Sequence, residues 1–454
     1  MRVSILIENG CIIASTIALG SILYVLSSEP ATYTNTEPYH ILLTVVACRT
    51  TPGVHWSWPM IGLFGVTVVA GAVGQAYTDA QTLSIQQDWV VVVARETGGP
   101  LGDWNASLRR IDLICKLASP VAFGLIMDFA GDAPMTRAAT GRSPIPHPRP
   151  RIRSPSPRVA CRPLYTTIQQ SSIDSDNWLM IYVGAAVVGV WNLLAAPLEY
   201  CMRVDTYHFV PALHDQPNQL KKKPTLNFTQ YFASWTEYFN HPTFLASFSF
   251  CALYMTVLTG DGLNSAYLQW RGVPLSLLGT YVHPLLVIYA AFHLDCPKLE
   301  TGLSSGLGGL FGFLGTLLFP VLLGCLGSIE RVSVWSVWCF WATLVPVWVA
   351  CVWYGESSVS DYIMMVAVLF SRMWLWSCDL GETQIMQEWV EADRRGSINA
   401  MQNATSKLFY IAVLLVSVFC SDPREFVTLV SVSVGAVLSS AIGFTVWYAR
   451  HVKK

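Results

Sequence analysis

Apolar stretches of bilayer-spanning length alternate along this chain with short polar connections. A helix needs roughly 20 mostly apolar residues to cross a bilayer. Stretches of about that length fall at 4–27, 59–79, 113–131, 178–203, 240–259, 274–292, 303–326, 333–354, 361–381, 404–420 and 425–449. Backbone polar groups inside lipid must be satisfied within the segment, so each stretch is expected to be a helix. Gly, Ala and Ser recur within them, as close helix–helix approach in lipid requires. The predicted fold class is an all-α polytopic membrane protein. The first stretch follows Met1-Arg2 and ends at Ser27-Ser28, like a signal peptide. Glu8 and Asn9 interrupt it with polar groups, so it is read as a retained span.

The polar connections add an orientation. Residues 204–239 contain Lys221, Lys222 and Lys223 and separate an N-terminal set of spans (1–203) from a C-terminal set (240–454). Positive charge favours the cytoplasmic side, so 204–239 is expected to be a cytoplasmic linker. Two crossings back, "SIQQDWVVVVARE" and "NASLRRIDLICK" return to that side, crowding Asp88, Arg95, Glu96, Arg109, Arg110 and Asp112 around one turn. Lys and Arg alone would set the topology. The acids ask for a second purpose, namely ion pairs that hold helix ends together. A second mixed patch, Ser371 to Asn403, carries Asp379, Glu382, Gln384, Glu388, Arg394, Arg395 and Asn399. Two such patches, one in each half, suit a gate whose charges meet and part. Candidate residues in these patches are Asp88 and Arg109 in the first with Asp379, Gln384, Arg395 and Asn399 in the second.

Composition excludes other classes. The 454 residues are 53% hydrophobic and 13% charged, about half the charged share of a soluble domain. A net charge of −1 gives no field for nucleic acid. The 12 cysteines are scattered singly without a CxxC pair and read as small buried hydrophobes. No HExxH, phosphate loop or nucleophile elbow is present, and no enzymatic activity is expected. Ionisable groups inside spans are functional candidates instead. Asn192 and Glu199 lie seven residues apart on one helical face, and Glu8 and Asn9 offer oxygen ligands from another span. Arg203, four residues after Glu199, offers that acid an ion pair as the alternative.

"IQQDWVVVVA", "NASLRRID", "LYMTVL", "LWSCDLGETQ" and "RRGSINAMQN" resemble, in order, the signatures of the ferroportin family of iron exporters. The resemblance runs with interruptions from about residue 1 to the C-terminus. It implies a major-facilitator-type fold of two helical bundles that rock about a central path and carry ferrous iron out of the cytosol by alternating access. It implies that Asp88 and Arg395 belong to a cytoplasmic gate, with Asn105 and Arg109 beside it. It also implies a cation site in the N-terminal bundle at Glu8, Asn9, Asn192 and Glu199, where oxygen ligands suit calcium as readily as ferrous iron. Vertebrate members add a cysteine after an aspartate and a later histidine; here Asp261 precedes Gly262 and Val413 stands near the histidine position, leaving at most an oxygen ligand at Asp261. No resident cofactor is expected, and the partners are the divalent metal and the bilayer of a plasma or vacuolar membrane. The chain is expected to act as a monomer.

Departures from the family pattern modify this picture. The chain is expected to start at the family's third helix, lacking the first two, and to carry insertions near 49–59, at 133–172 and at 280–308. Removing the stretch at 274–292 leaves ten genuine spans. A carrier so shortened has an alternative reading as a transport-inactive binding or regulatory partner.

Overall fold

The structure is a computed structural model that describes residues 2–28, 58–132, 175–213, 228–259, 263–271, 297–355, 357–420 and 422–452. These residues are predominantly helical, and no strand occurs among them. In chain order the helices are α1 (Arg2–Ser28), α2 (Trp58–Leu83), α3 (Val90–Thr97), α4 (Leu101–Asp132) and α5 (Ser175–Phe209). There follow α6 (Phe228–Asn240), α7 (Phe244–Ala252), α8 (Leu263–Trp270) and α9 (Pro297–Leu326). The last four are α10 (Ile329–Trp353), α11 (Ser358–Trp389), α12 (Arg395–Phe419) and α13 (Phe426–His451). Among the described residues seven helical stretches are long and apolar enough to cross a membrane: Ser4–Ile22, Met60–Thr97, Gly184–Phe209, Ile329–Trp353, Ser358–Trp389, Arg395–Phe419 and Pro423–His451. This is a multi-pass, all-α membrane architecture.

Every expected span within the described residues falls on a helix, with one change of form. The stretch 240–259 holds only the short helix α7, a 3-10 turn at Leu253–Met255 and then extended chain at Thr256. The unwound backbone groups find side-chain partners, as a low-dielectric setting demands. Val257 N–H donates to Ser433 Oγ at 2.9 Å, and the Leu258 carbonyl accepts from Arg372 Nη2 at 2.7 Å. The stretch 274–292 and the expected insertion at 133–172 lie outside the described residues. Of 49–59 only Trp58 and Pro59 are described, opening α2, and residues 297–308 of the expected third insertion form the first turns of α9.

The chain groups into two compact units. Unit 2 comprises Leu6–Gly74 and Leu125–Pro197. In it α1 and α2 touch where Ser15 Oγ donates to the Thr67 carbonyl at 3.3 Å. On α5, Trp191, Leu193 and Leu194 are exposed, as side chains facing lipid would be.

Unit 1 comprises Met1–Ile5, Gln75–Gly124 and Leu198–Lys454. Its core packs α7, α10, α11 and α13 around Phe340, Leu344, Met364, Phe444 and Trp447. Two indole N–H groups find acceptors within this apolar mass: Trp447 Nε1 donates to the Pro242 carbonyl at 3.0 Å and Trp338 Nε1 to Thr445 Oγ1 at 2.9 Å. Tyr267 stacks on Phe426 with centroids 3.9 Å apart. Between α9 and α11 the backbones approach so closely that a methyl group at Gly315 would collide with the Met373 carbonyl. Ser377 Oγ closes the contact by donating to the Gly315 carbonyl at 2.9 Å. An ion pair, Arg271 Nε to Asp361 Oδ1 at 3.3 Å, ties the segment after α8 to the first turn of α11.

Candidate functional site

The two charged patches of the sequence meet inside unit 1, and local backbone chemistry prepares the meeting. Between α2 and α3 the residues Ser84–Trp89 form a π-helical turn, in which Val90 N–H bonds to the Ile85 carbonyl. Such a wide turn redirects carbonyls away from the normal ladder, and π turns concentrate at functional places. Gln387 Nε2 donates to the Gln86 carbonyl at 2.6 Å, and Arg395 Nη1 reaches the Gln87 carbonyl at 3.5 Å. α3 stops at Gly98, whose φ of 67° is left-handed and favours glycine, and the chain turns into α4 with Asp103 in its first turn.

Asn105 and Arg109 are one turn apart on α4 and face α11 together. Asn105 Nδ2 donates to Gln387 Oε1 at 2.6 Å, and Gln387 Nε2 returns a bond to Asn105 Oδ1 at 3.1 Å. Both amides are buried. Arg109 Nη2 donates to Asp379 Oδ2, and the two side chains are 16% and 15% exposed. The Arg109 guanidinium also lies 4.9 Å from the centroid of the Trp376 ring, within cation–π range, and 3.7 Å from Asp112. This ion pair joins residues 270 positions apart and is mostly withdrawn from water.

Arg395 opens α12 and is 8% exposed. Its Nη2 donates to the Gln387 carbonyl at 2.9 Å and the Val390 carbonyl at 3.2 Å. Asp88 acts on it through space, and no Asp88–Arg395 ion pair within 4.0 Å is found among the described residues. The direct ion pair between the patches is therefore Arg109–Asp379. Gln384 Nε2 donates to Glu388 Oε1 at 2.9 Å, while its buried Oε1 has no hydrogen-bond partner among the described residues. The same is true of Gln87 Oε1 and of both amide atoms of Asn399, which is 2% exposed. Unsatisfied buried amides are costly, and a cluster of them is uncommon in a packed interior.

Gln387 and Glu382 are not among the gate candidates read from the sequence. Both stand in the second patch, which was read as a polar connection after a span ending at 381, whereas α11 continues to Trp389. Glu382 is 3% exposed and accepts from Gln402 Nε2 at 2.7 Å. The amide-rich run Gln384, Gln387, Gln402, Asn403 was the available signal.

Glu8, Asn9 and Asn192 belong to unit 2, and Glu199 to unit 1. Asn9 is buried and Glu8 partly so. Asn192 Nδ2 donates to the Val188 carbonyl of its own helix at 2.8 Å. Glu199 accepts from Arg203, which also donates to Gln81 Oε1. Asp261 lies outside the described residues. Among the described residues no group of three His, Cys, Asp or Glu side chains converges to hold a metal ion.

The family model described as Ferroportin1 (FPN1) matches residues 1–139, 168–292 and 282–437 of this chain. The chain belongs to the ferroportin family. Solute carrier family 40 member 2 of Arabidopsis thaliana is 26% identical to this ferroportin-family chain over 402 residues, covering 85% of it and 69% of that protein. Human ferroportin is 23% identical over 423 residues, covering 85% and 72%. Among solved structures, a bacterial homologue of the iron transporter ferroportin, outward-facing with soaked iron, superposes with a TM-score of 0.61 at 21% identity. That likeness covers 99% of this chain and 83% of that one. The fold is thus that of a ferroportin-type multi-pass transporter, and the π turn, α4, α11 and the start of α12 that build the cluster carry four of the five ferroportin motifs.

Proposed function

We propose that this ferroportin-family chain is a carrier that exports divalent metal, ferrous iron foremost, from the cytosol by alternating access. The observation that carries the reading is the linkage of α4 to α11 through Arg109–Asp379 and Asn105–Gln387, with Asn105, Arg109 and Asp379 standing in the family's motifs. We assign this cluster to the cytoplasmic latch. Its direct ion pair is Arg109–Asp379, Asp88 supplies field rather than contact to Arg395, and the Gln87 and Gln384 amide oxygens and the Asn399 amide, without hydrogen-bond partners among the described residues, acquire them when the latch opens. The relative with soaked iron and the curated relatives named ferroportin support iron as cargo. Oxygen ligands for the cargo are proposed at Glu8, Asn9 and Asn192, with Glu199 two helical turns along α5 from Asn192 and Asp261 as a further carboxylate. Calcium is the competing cation such ligands admit.

The test is efflux of radiolabelled iron from proteoliposomes containing the chain. Faster loss than from empty vesicles is expected, together with failure in Arg109→Asp and Asp379→Arg alone and recovery in the double variant. Loss equal to that of empty vesicles would overturn the carrier reading and favour a binding or regulatory partner.

A further inference from the structure

Apart from the latch, unit 1 holds a charged cluster that joins two spans. Asp79 lies on α2 within the apolar stretch Met60–Thr97, and Lys407 lies on α12 within Arg395–Phe419. Lys407 Nζ is 3.2 Å from Asp79 Oδ2. Asn403 Nδ2 donates to the same oxygen at 3.4 Å, and Gln75 Nε2 donates to Asp79 Oδ1 at 2.8 Å. Gln75 and Asp79 are one turn apart on α2, and Asn403 and Lys407 one turn apart on α12, so two turns face two turns. On α12 these residues continue a four-residue spacing of Arg395, Asn399, Asn403 and Lys407.

Ionisable groups inside spans are rare and mark function by default. A permanent staple does not explain this pair. The Lys407 and Asp79 side chains are 49% and 25% exposed, and ion pairs so accessible contribute little stability. What the geometry offers is an ammonium that can be exchanged. Around Asp79 stand one carboxylate and two carboxamides; a half-turn of each amide replaces its N–H donors by an oxygen. Carboxylate and amide oxygens together form a hard ligand set for a divalent cation such as Mn²⁺.

We propose that Asp79, Gln75 and Asn403 form a divalent-cation site whose place is held by the Lys407 ammonium in this structure. Cation binding displaces Lys407 from Asp79 and converts the direct tie between α2 and α12 into a metal-bridged one. The proposal rests on the carrier reading for the identity of the cation and on the α2–α12 geometry for the site.

The experiment is a Mn²⁺ titration of the purified full chain by calorimetry, comparing the native protein, Lys407→Met and Lys407→Met with Asp79→Asn. Removing a like charge within about 4 Å of a divalent ion should strengthen binding at one site about tenfold or more. Adding Asp79→Asn should abolish that gain. A Lys407→Met titration indistinguishable from the native one, or a gain that survives Asp79→Asn, would overturn the site. So would a lowered thermal midpoint in Lys407→Met with unchanged Mn²⁺ binding, which is the signature of a purely structural tie. An Asp79-dependent gain in a chain that moves no iron would leave the site standing while the carrier reading fails.

Discussion

Asp379→Asn removes one charge from the latch while keeping the side chain's shape, and its cost can be worked from the surroundings. Breaking a fully buried ion pair costs about 3–5 kcal/mol, because the abandoned charge stays buried. An exposed pair is worth about 0–1 kcal/mol. Arg109 and Asp379 are 16% and 15% exposed, near the buried limit. Asp112 at 3.7 Å and the Trp376 ring at 4.9 Å remain to stabilise the guanidinium. The expected loss is therefore about 2 kcal/mol, between the two limits, or about 30-fold in a latched-to-open ratio at about 1.4 kcal/mol per tenfold. A double-mutant cycle of Arg109→Gln, Asp379→Asn and the pair, read from unfolding free energies in detergent, isolates the coupling. A coupling below about 0.5 kcal/mol would refute the reasoning, since it would mean that water or Asp112 had already screened the pair.

Other outcomes follow from the same geometry. Gln387→Ala strands the buried Asn105 amide and the Gln86 carbonyl, so a loss of about 1–3 kcal/mol is expected in thermal denaturation; a change within experimental error would show that the amide bridge contributes nothing. Gly315→Leu drives a side chain into the Met373 carbonyl and should prevent recovery of folded protein, so a monodisperse, normally melting variant would contradict the close approach of α9 and α11. Glu382→Gln keeps the bond from Gln402 and should shift stability by about 1 kcal/mol or less, whereas Glu382→Lys should abolish folding; equal behaviour of the two would argue that position 382 is not buried. His241, between α6 and α7 with Nδ1 2.7 Å from Thr243 Oγ1, is held below the ordinary histidine range chiefly by burial. Its contribution is thus present above about pH 6.5 and lost as pH falls through the depressed folded value. His241→Gln should flatten the stability profile between about pH 7 and pH 5, and an unchanged slope would count against it.

Much of the architecture was legible because hydropathy is a local property. The stretches at 333–354 and 425–449 match α10 and α13 apart from one end residue each, since about 20 apolar residues in lipid have few choices besides a helix. The departure at 240–259 was not legible: the apolar run continues through Val257 and Leu258, and Ser433 and Arg372, far along the chain, supply partners that let the backbone unwind. At the latch, charge patterning singled out Asp88, Arg109, Asp379 and Arg395 as too crowded for topology alone, and the family resemblance added Asn105. Patterning could not tell which acid met which base.

The sequence by itself determined a multi-pass helical membrane protein of the ferroportin family, because span length, charge bias and short motifs are each written within some 30 consecutive residues. Tertiary structure alone decided that Arg109 meets Asp379 rather than Asp88 meeting Arg395, that Gln387 answers Asn105, and that Lys407 sits on Asp79. Those pairs lie 270, 282 and more than 300 residues apart, so no local pattern couples them. The register in which α2, α4, α11 and α12 pack, set by burial and by close approaches such as Gly315 on Met373, chose the partners.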